Sequence, residues 1–482
     1  MNSTILFIIL MAVYLVATIY FGNKRAKKQD EGTTKDWFVA GGKVIWAAVG
    51  FTIAAAWLDM ATVFLNTGEG YSVGISAFWF LAGAEMIAFL LMAFIFAKRI
   101  RHTKMISQGE MVEARFGSTI RPWYSFIWVI ALCGYAALSF LVFNEFLQYL
   151  FGFNQFVSAL ICLVIVLAFQ MVGGFAATVY ADYIQGFLII VGCVILGIFA
   201  VDKAGGMANI AATVPKSFLS LGGIGIQEIL TITVPLVMAF IVEPTLWMRV
   251  ISSRSLKDAK KANIFAFIIY IPVCIGTLLA GLASYVIYPK WEGSLNMIAV
   301  NMADHLFPMV ITAFIFVAII AALISSFNAF MSAANLNLCY DLIPDLYKRI
   351  KKKPFPEDKY RTVSRFGMVV IALIGTFIAL LIPTLVEILS FSGSLAASGI
   401  FLPVFAMFFS KRVNTAGAML SFAAGSLSQL VFYIFGAPGG VEPFFISFPI
   451  AVVGLIIGTC IGKKPTEQQL APFVIKEGTK VE

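Results

Sequence analysis

Long apolar runs follow one another along this chain, with only short polar stretches between them. They lie at about 4–22, 44–66, 71–97, 122–150, 155–173, 175–201, 228–248, 262–288, 308–338, 366–388, 390–410, 414–436 and 444–462. A helix needs about 20 apolar residues to cross a hydrocarbon core of about 30 Å. Helices also satisfy their own backbone hydrogen bonds, which lipid cannot do for them. The pattern predicts an all-α membrane protein of about thirteen transmembrane helices. Two of these expected spans meet at Gly173-Gly174 with almost no loop.

The charges agree with this reading. With the N-terminus outside, 31 lysines and arginines fall in inside segments, and only Lys203, Lys216 and Lys290 fall outside. Such a bias orients a membrane protein. It predicts a multi-pass cell-membrane protein with its N-terminus outside, its C-terminus cytoplasmic and an odd number of spans. The first run has no basic residue before it and a basic cluster after it (Lys24, Arg25, Lys27, Lys28), so it reads as a retained anchor, not a cleaved signal.

Composition narrows the function. Mean hydropathy is +0.93, and charged residues make up 12% of the chain, about half the share of roughly 25% in a soluble domain. The net charge of +9 sits beside the spans, so it argues for topology and not for nucleic acid. The six cysteines lie in or at the ends of apolar runs without metal-ligand spacing, as small core residues. His102 and His305 fall in predicted loops. With no paired histidines, zinc motif or nucleophile elbow, an enzyme is not expected.

Acids inside membrane spans are costly and are functional candidates by default. Here they are Asp59, Glu85, Glu145, Asp182, Glu243 and Glu387. No Lys or Arg is expected at the same depth, an asymmetry that suits a protein handling cations. A position near the interface accounts equally well for Glu85, Glu145 and Glu387. In the second run, Asp59 and several small residues interrupt an apolar helix, as in a discontinuous helix with carbonyls free for a cation. Small residues alone would also suit close packing. In the ninth run, Ala322, Ser325 and Ser326 share one helical face. Two hydroxyls and one released carbonyl offer hard oxygens to a small cation, but the residues by themselves favour a packing seam. In the seventh run, Pro235 and then Glu243-Pro244 mark a second break.

On these residues the chain resembles the sodium:solute symporter family. Gly173-Gly174 with Asp182-x-x-Gln185 looks like the family signature. Ala321 through Ser326 to Asp341 is similar to its ninth-span motif. Glu243-Pro244 to Arg249 resembles the Gln-Pro-x-x-x-x-Arg stretch of proline symporters, and Leu58-Asp59-Met60-Ala61 resembles their Ser-Asp-Met-Ser. The resemblance implies the leucine-transporter fold. A ten-helix core at 44–410 would form two inverted five-helix repeats. The first helix and its loop (1–43) and the last two helices and tail (411–482) would be peripheral.

It further implies sodium-coupled symport of a small organic solute by alternating access, with sodium and the bilayer as partners. The sodium ion would be held by carbonyls of Trp57, Met60 and Ala322 and by hydroxyls of Ser325 and Ser326. Asp182 matches an aspartate that joins ninth-span serines in a further sodium site of some members. Asn328 and Ala329 stand at the later serine positions, a departure that weakens the case for a second sodium. Asp59, Glu243 and Pro244 are the expected solute-binding residues, and an extra acid suits an amine, a zwitterion or an amino-acid-like solute better than a sugar. Proton coupling is an alternative. So is a transporter-like sensor, although the short tail after Cys460 offers no signalling domain. A channel fits scattered acids on broken helices less well.

Overall fold

A computed structural model describes residues 3–29, 33–58, 60–382 and 384–475, with the side chains of 3–4, 23, 25–29, 60–62, 169–174 and 176 excepted. Among the described residues no strand forms, and one isolated bridge joins Val44 to Ser253. The main helices are α1 (Ser3–Gln29), α2 (Trp46–Trp57), α3 (Met60–Val73), α4 (Ala82–Leu91), α5 (Ile120–Phe151), α6 (Gln155–Lys203), α7 (Ile226–Ile241) and α8 (Pro244–Ser252). They continue with α9 (Leu256–Ile287), α10 (Met309–Asn335), α11 (Tyr360–Leu381), α12 (Leu385–Gly399), α13 (Phe401–Phe409), α14 (Thr415–Phe435) and α15 (Phe444–Ile461).

Helix α10 is the centre of the bundle. Every residue from 315 to 337 is buried, as expected of a helix that is apolar on all faces. It packs on α5 and α6, and also on α1, α2 and α3. Outer helices instead expose one apolar row. Phe366, Val370, Phe377 and Leu381 of α11 are open, as are Leu427, Val431, Ile434 and Phe435 of α14. In a bilayer those rows face lipid. Close crossings rest on glycine. A Cβ at Gly197 would lie 2.5 Å from the Gly276 carbonyl, and one at Gly281 would lie 2.8 Å from that of Thr67. Larger residues there would push α6 and α3 away from α9.

Two breaks were expected, and both are present. α2 ends at Trp57, where Leu58 leaves the helical region (φ −74°, ψ 45°), and the helix resumes at Met60. α7 ends at Ile241, and Glu243 is extended (φ −71°, ψ 128°) before Pro244 starts α8. The two parts are bent by 41°. Pro244 occupies the first turn, where a missing N–H costs nothing. Pro235, by contrast, is carried inside α7. α10 runs on through a π-helical turn, Leu336–Leu342, into the helix Ile343–Lys351.

Ten helices among the described residues are long and apolar enough to cross a bilayer, or eleven if the bent α7–α8 pair is one span. The apolar helices Trp46–Trp57 and Gln155–Ala168 are shorter than a full span, so the count stops at ten or eleven against the thirteen expected. One boundary differs. The spans expected to meet at Gly173-Gly174 form a single helix of 49 residues. Glycine retains its N–H, and the segment has no proline, so nothing there interrupts the hydrogen-bond ladder. His102 and His305 also close short helices, Ala97–Thr103 and Ile298–Leu306, and do not lie in loops.

Candidate functional site

The two breaks face each other. The Trp57 ring at the end of α2 lies 4.8 Å from the ring of Phe240, near the end of α7, and 5.7 Å from Phe89 of α4. The Trp57 carbonyl accepts a hydrogen bond from the Tyr270 hydroxyl of α9 at 2.6 Å, and Tyr270 is also bonded to Glu85. Both Trp57 and Glu85 are buried. Asp59 lies outside the described residues. Met60 is described as the first residue of α3, without its side chain.

Across the bundle, α10 presents Ala322, Ser325 and Ser326, all buried. The gap between α3, α6 and α10 is narrow and apolar, lined by Val63, Gly192, Cys193, Ala318 and Ala322. Val63 follows Met60 by about one turn, so the resumed helix lies against the serine-bearing face. Ser325 donates its hydroxyl proton to Asp182 of α6 at 2.7 Å. The Ser326 hydroxyl is enclosed and has no hydrogen-bond partner among the described residues. Buried hydroxyls are ordinarily paired. Two adjacent hydroxyl oxygens with lone pairs to spare, beside a helix break, form a donor set that fits a small hard cation.

Asp182 gathers more than the sequence suggested. Thr52 of α2 also donates to it, and the Arg249 guanidinium of α8 lies 3.8 Å away with both side chains wholly buried. Arg249 further donates to the carbonyls of Thr52 (3.1 Å) and Thr245 (2.9 Å). The expectation that no basic residue stands at the depth of the acids is therefore corrected. Arg249 heads a basic stretch and reads as part of a loop, yet α8 carries it back into the core. The only sequence signal was its fixed distance from Glu243-Pro244. Asn328 is buried one turn beyond Ser325.

Glu243 is almost fully buried at the N-terminus of α8, where a negative charge is favoured by the helix dipole. Arg249 lies within Coulombic reach of it. Other expected candidates separate from this cluster. Glu145 is held by Asn296 (3.0 Å) near an exposed loop, and Glu387 is exposed in the first turn of α12. Both fit the interfacial reading. Asp341 lies in the π-helical turn and pairs with Arg121 at 2.6 Å and Ser107 at 2.7 Å, tying α10 to α5 about four turns from Ser326.

Comparisons with known proteins agree with this architecture. The model of the Sodium:solute symporter family matches residues 37–425. The osmoregulated proline transporter OpuE of Bacillus subtilis (strain 168) is 21% identical over 98% of this chain and 98% of its own. The sodium/glucose cotransporter of Vibrio parahaemolyticus is 25% identical over 86% of this chain and 83% of its own. Among solved structures, the substrate-bound outward-open state of a sodium-coupled sialic acid symporter aligns with a TM-score of 0.82. It covers 96% of this chain and 98% of that one at 19% identity, and so shares the fold.

Proposed function

Because the chain belongs to the sodium:solute symporter family, we propose that its sodium ion binds where the broken α2–α3 helix meets α10. The protein is an integral membrane transporter, not an enzyme, and couples a small solute to sodium. The proposed ligands are the carbonyls of Trp57, Met60 and Ala322 and the hydroxyls of Ser325 and Ser326. The observation that carries this reading is the buried Ser326 hydroxyl, without a partner among the described residues, beside a Ser325 whose proton is committed to Asp182. Segments 44–410 form the transporting core in this reading, as two inverted repeats that rock about the site. Segments 1–43 and 411–482 are peripheral, with the N-terminus outside.

The proposed solute-binding residues are Glu243 and Pro244, near the aromatic contact of Trp57 with Phe240, together with Asp59, which lies outside the described residues. The relatives and the structural neighbour are named for proline, glucose and sialic acid, so their names alone do not select a solute. An enclosed acid at a broken helix favours one with a positively charged group, such as an amino acid or another amine. The proline transporters among the relatives support the amino-acid-like choice.

Sodium-22 entry into proteoliposomes tests this directly. Proline, other zwitterionic amino acids, simple amines and glucose are added outside in turn. A compound of the amino-acid or amine class should accelerate sodium entry. Acceleration by glucose alone would reject the role given to Glu243, and no acceleration by any class would reject the solute assignment.

A further inference from the structure

The helix Ile343–Lys351 is turned the wrong way round for a water surface. It is amphipathic: at about 3.6 residues per turn, Ile343, Leu346, Tyr347 and Ile350 share one face, and Asp345 and Arg349 fall on another. The face held against the protein is the polar one. Asp345 is buried and pairs with Arg349 at 2.5 Å, and Arg349 also donates to the Ser118 carbonyl at 2.5 Å. The apolar face points outward, with Leu346 43% and Ile350 74% exposed. A helix between a protein core and water shows the opposite arrangement.

Around this face the charge has one sign. Lys348, Arg349, Lys351, Lys352 and Lys353 are all exposed. The four lysines enter no ion pair among the described residues. Of the acids that follow, Glu357 accepts the Thr34 hydroxyl proton, and Asp358 is followed by Lys359. The next helix, α11, begins at Tyr360. Its exposed apolar row opens at Phe366, about 9 Å further along the helix axis. Excess positive charge and outward apolar side chains therefore lie together where α11 enters the bilayer.

We propose that the helix Ile343–Lys351, with Lys352 and Lys353, is a binding surface for the headgroup phosphates of anionic phospholipids. Leu346 and Ile350 enter the boundary between headgroups and chains, and the lysines reach the phosphates around them. A soluble acidic partner would match the charge, but the adjoining lipid-facing row of α11 favours the bilayer. A charge bias that only orients spans needs no outward apolar face. The surface is separate from the sodium and solute sites and does not depend on them.

The test is backbone hydrogen–deuterium exchange of the full-length protein in nanodiscs of phosphatidylcholine, with and without phosphatidylglycerol. A lysine at an anionic surface is worth about fivefold in binding, so the amides of 346–353 should exchange about tenfold more slowly, or slower still, when phosphatidylglycerol is present. High potassium chloride should erase the difference by screening. Lys348→Gln/Lys351→Gln/Lys352→Gln/Lys353→Gln changes only exposed side chains and should abolish it, and Ile350→Ser should reduce it. Equal exchange of the wild type in the two nanodiscs, or slowing that survives in the quadruple variant, would overturn the proposal. So would an Ile350→Ser response equal to wild type, because the apolar face would then take no part. Slowing by inorganic phosphate in phosphatidylcholine alone would identify a free-anion site and overturn the lipid assignment.

Discussion

Replacing Ser326 with alanine should move folding and sodium binding in opposite directions. The Ser326 hydroxyl is fully enclosed and has no partner among the described residues. An unsatisfied buried polar group costs on the order of 1–3 kcal/mol. Alanine removes that group and adds no bulk, so without sodium the variant should be about 1 kcal/mol more stable than wild type. As a lost ligand, the same change should weaken sodium about tenfold, or about 1.4 kcal/mol. Ser325→Ala has the other sign. It deletes a 2.7 Å hydrogen bond to a buried carboxylate, worth about 1.5–3 kcal/mol, and should destabilise the protein even in potassium. Thermal unfolding in potassium and then in rising sodium measures all three. At a sodium concentration 100 times its dissociation constant, wild type gains about 2.7 kcal/mol, whereas a variant binding tenfold more weakly gains about 1.4. The Ser326→Ala advantage should therefore vanish as sodium rises. A variant less stable than wild type in potassium, or an equal gain from sodium, would exclude Ser326 as an unpaired sodium ligand.

Other expectations follow from the same geometry. Glu243→Gln should weaken solute binding by on the order of a hundredfold, because removing one partner of a buried charge pair costs several kcal/mol. Sodium affinity should change far less, and solute affinity equal to wild type in a binding titration would reject the role. Arg121→Ala should cost about 3 kcal/mol in thermal unfolding by stranding the buried Asp341, and Arg121→Ala/Asp341→Asn should recover part of it. A loss below about 0.5 kcal/mol, typical of surface changes, would show that the pair is not structural. A tag at Met1 should be labelled on intact cells and one at Glu482 only after permeabilisation. Labelling of both ends from the same side would contradict the odd number of spans.

The sequence conveyed the fold through local signals. Apolar runs of bilayer length marked the helices, Glu243-Pro244 marked the bend between α7 and α8, and the acid among small residues marked the interruption after Trp57. The serine face of α10 was readable from its spacing alone. What it meets was not. Ser325 bonds Asp182 across 143 residues, and Tyr270 bonds Trp57 across 213. Such pairings depend on how helices cross. Arg249 was misread because a cation near a basic loop looks solvated in one dimension. Only the bend at Glu243 turns it inward to Asp182. At Gly173-Gly174 the local signal was misleading, since a glycine pair permits a helix boundary without requiring one.

Sodium, and not the proton, is proposed to drive the solute. Uptake of labelled proline, or of whichever compound accelerates sodium entry, is followed in proteoliposomes under an inward sodium gradient alone and under an inward proton gradient alone. Potassium replaces sodium in the controls. Sodium coupling should give accumulation above the outside concentration with sodium at uniform pH, and none with the proton gradient in sodium-free buffer. Accumulation driven by protons without sodium would contradict it.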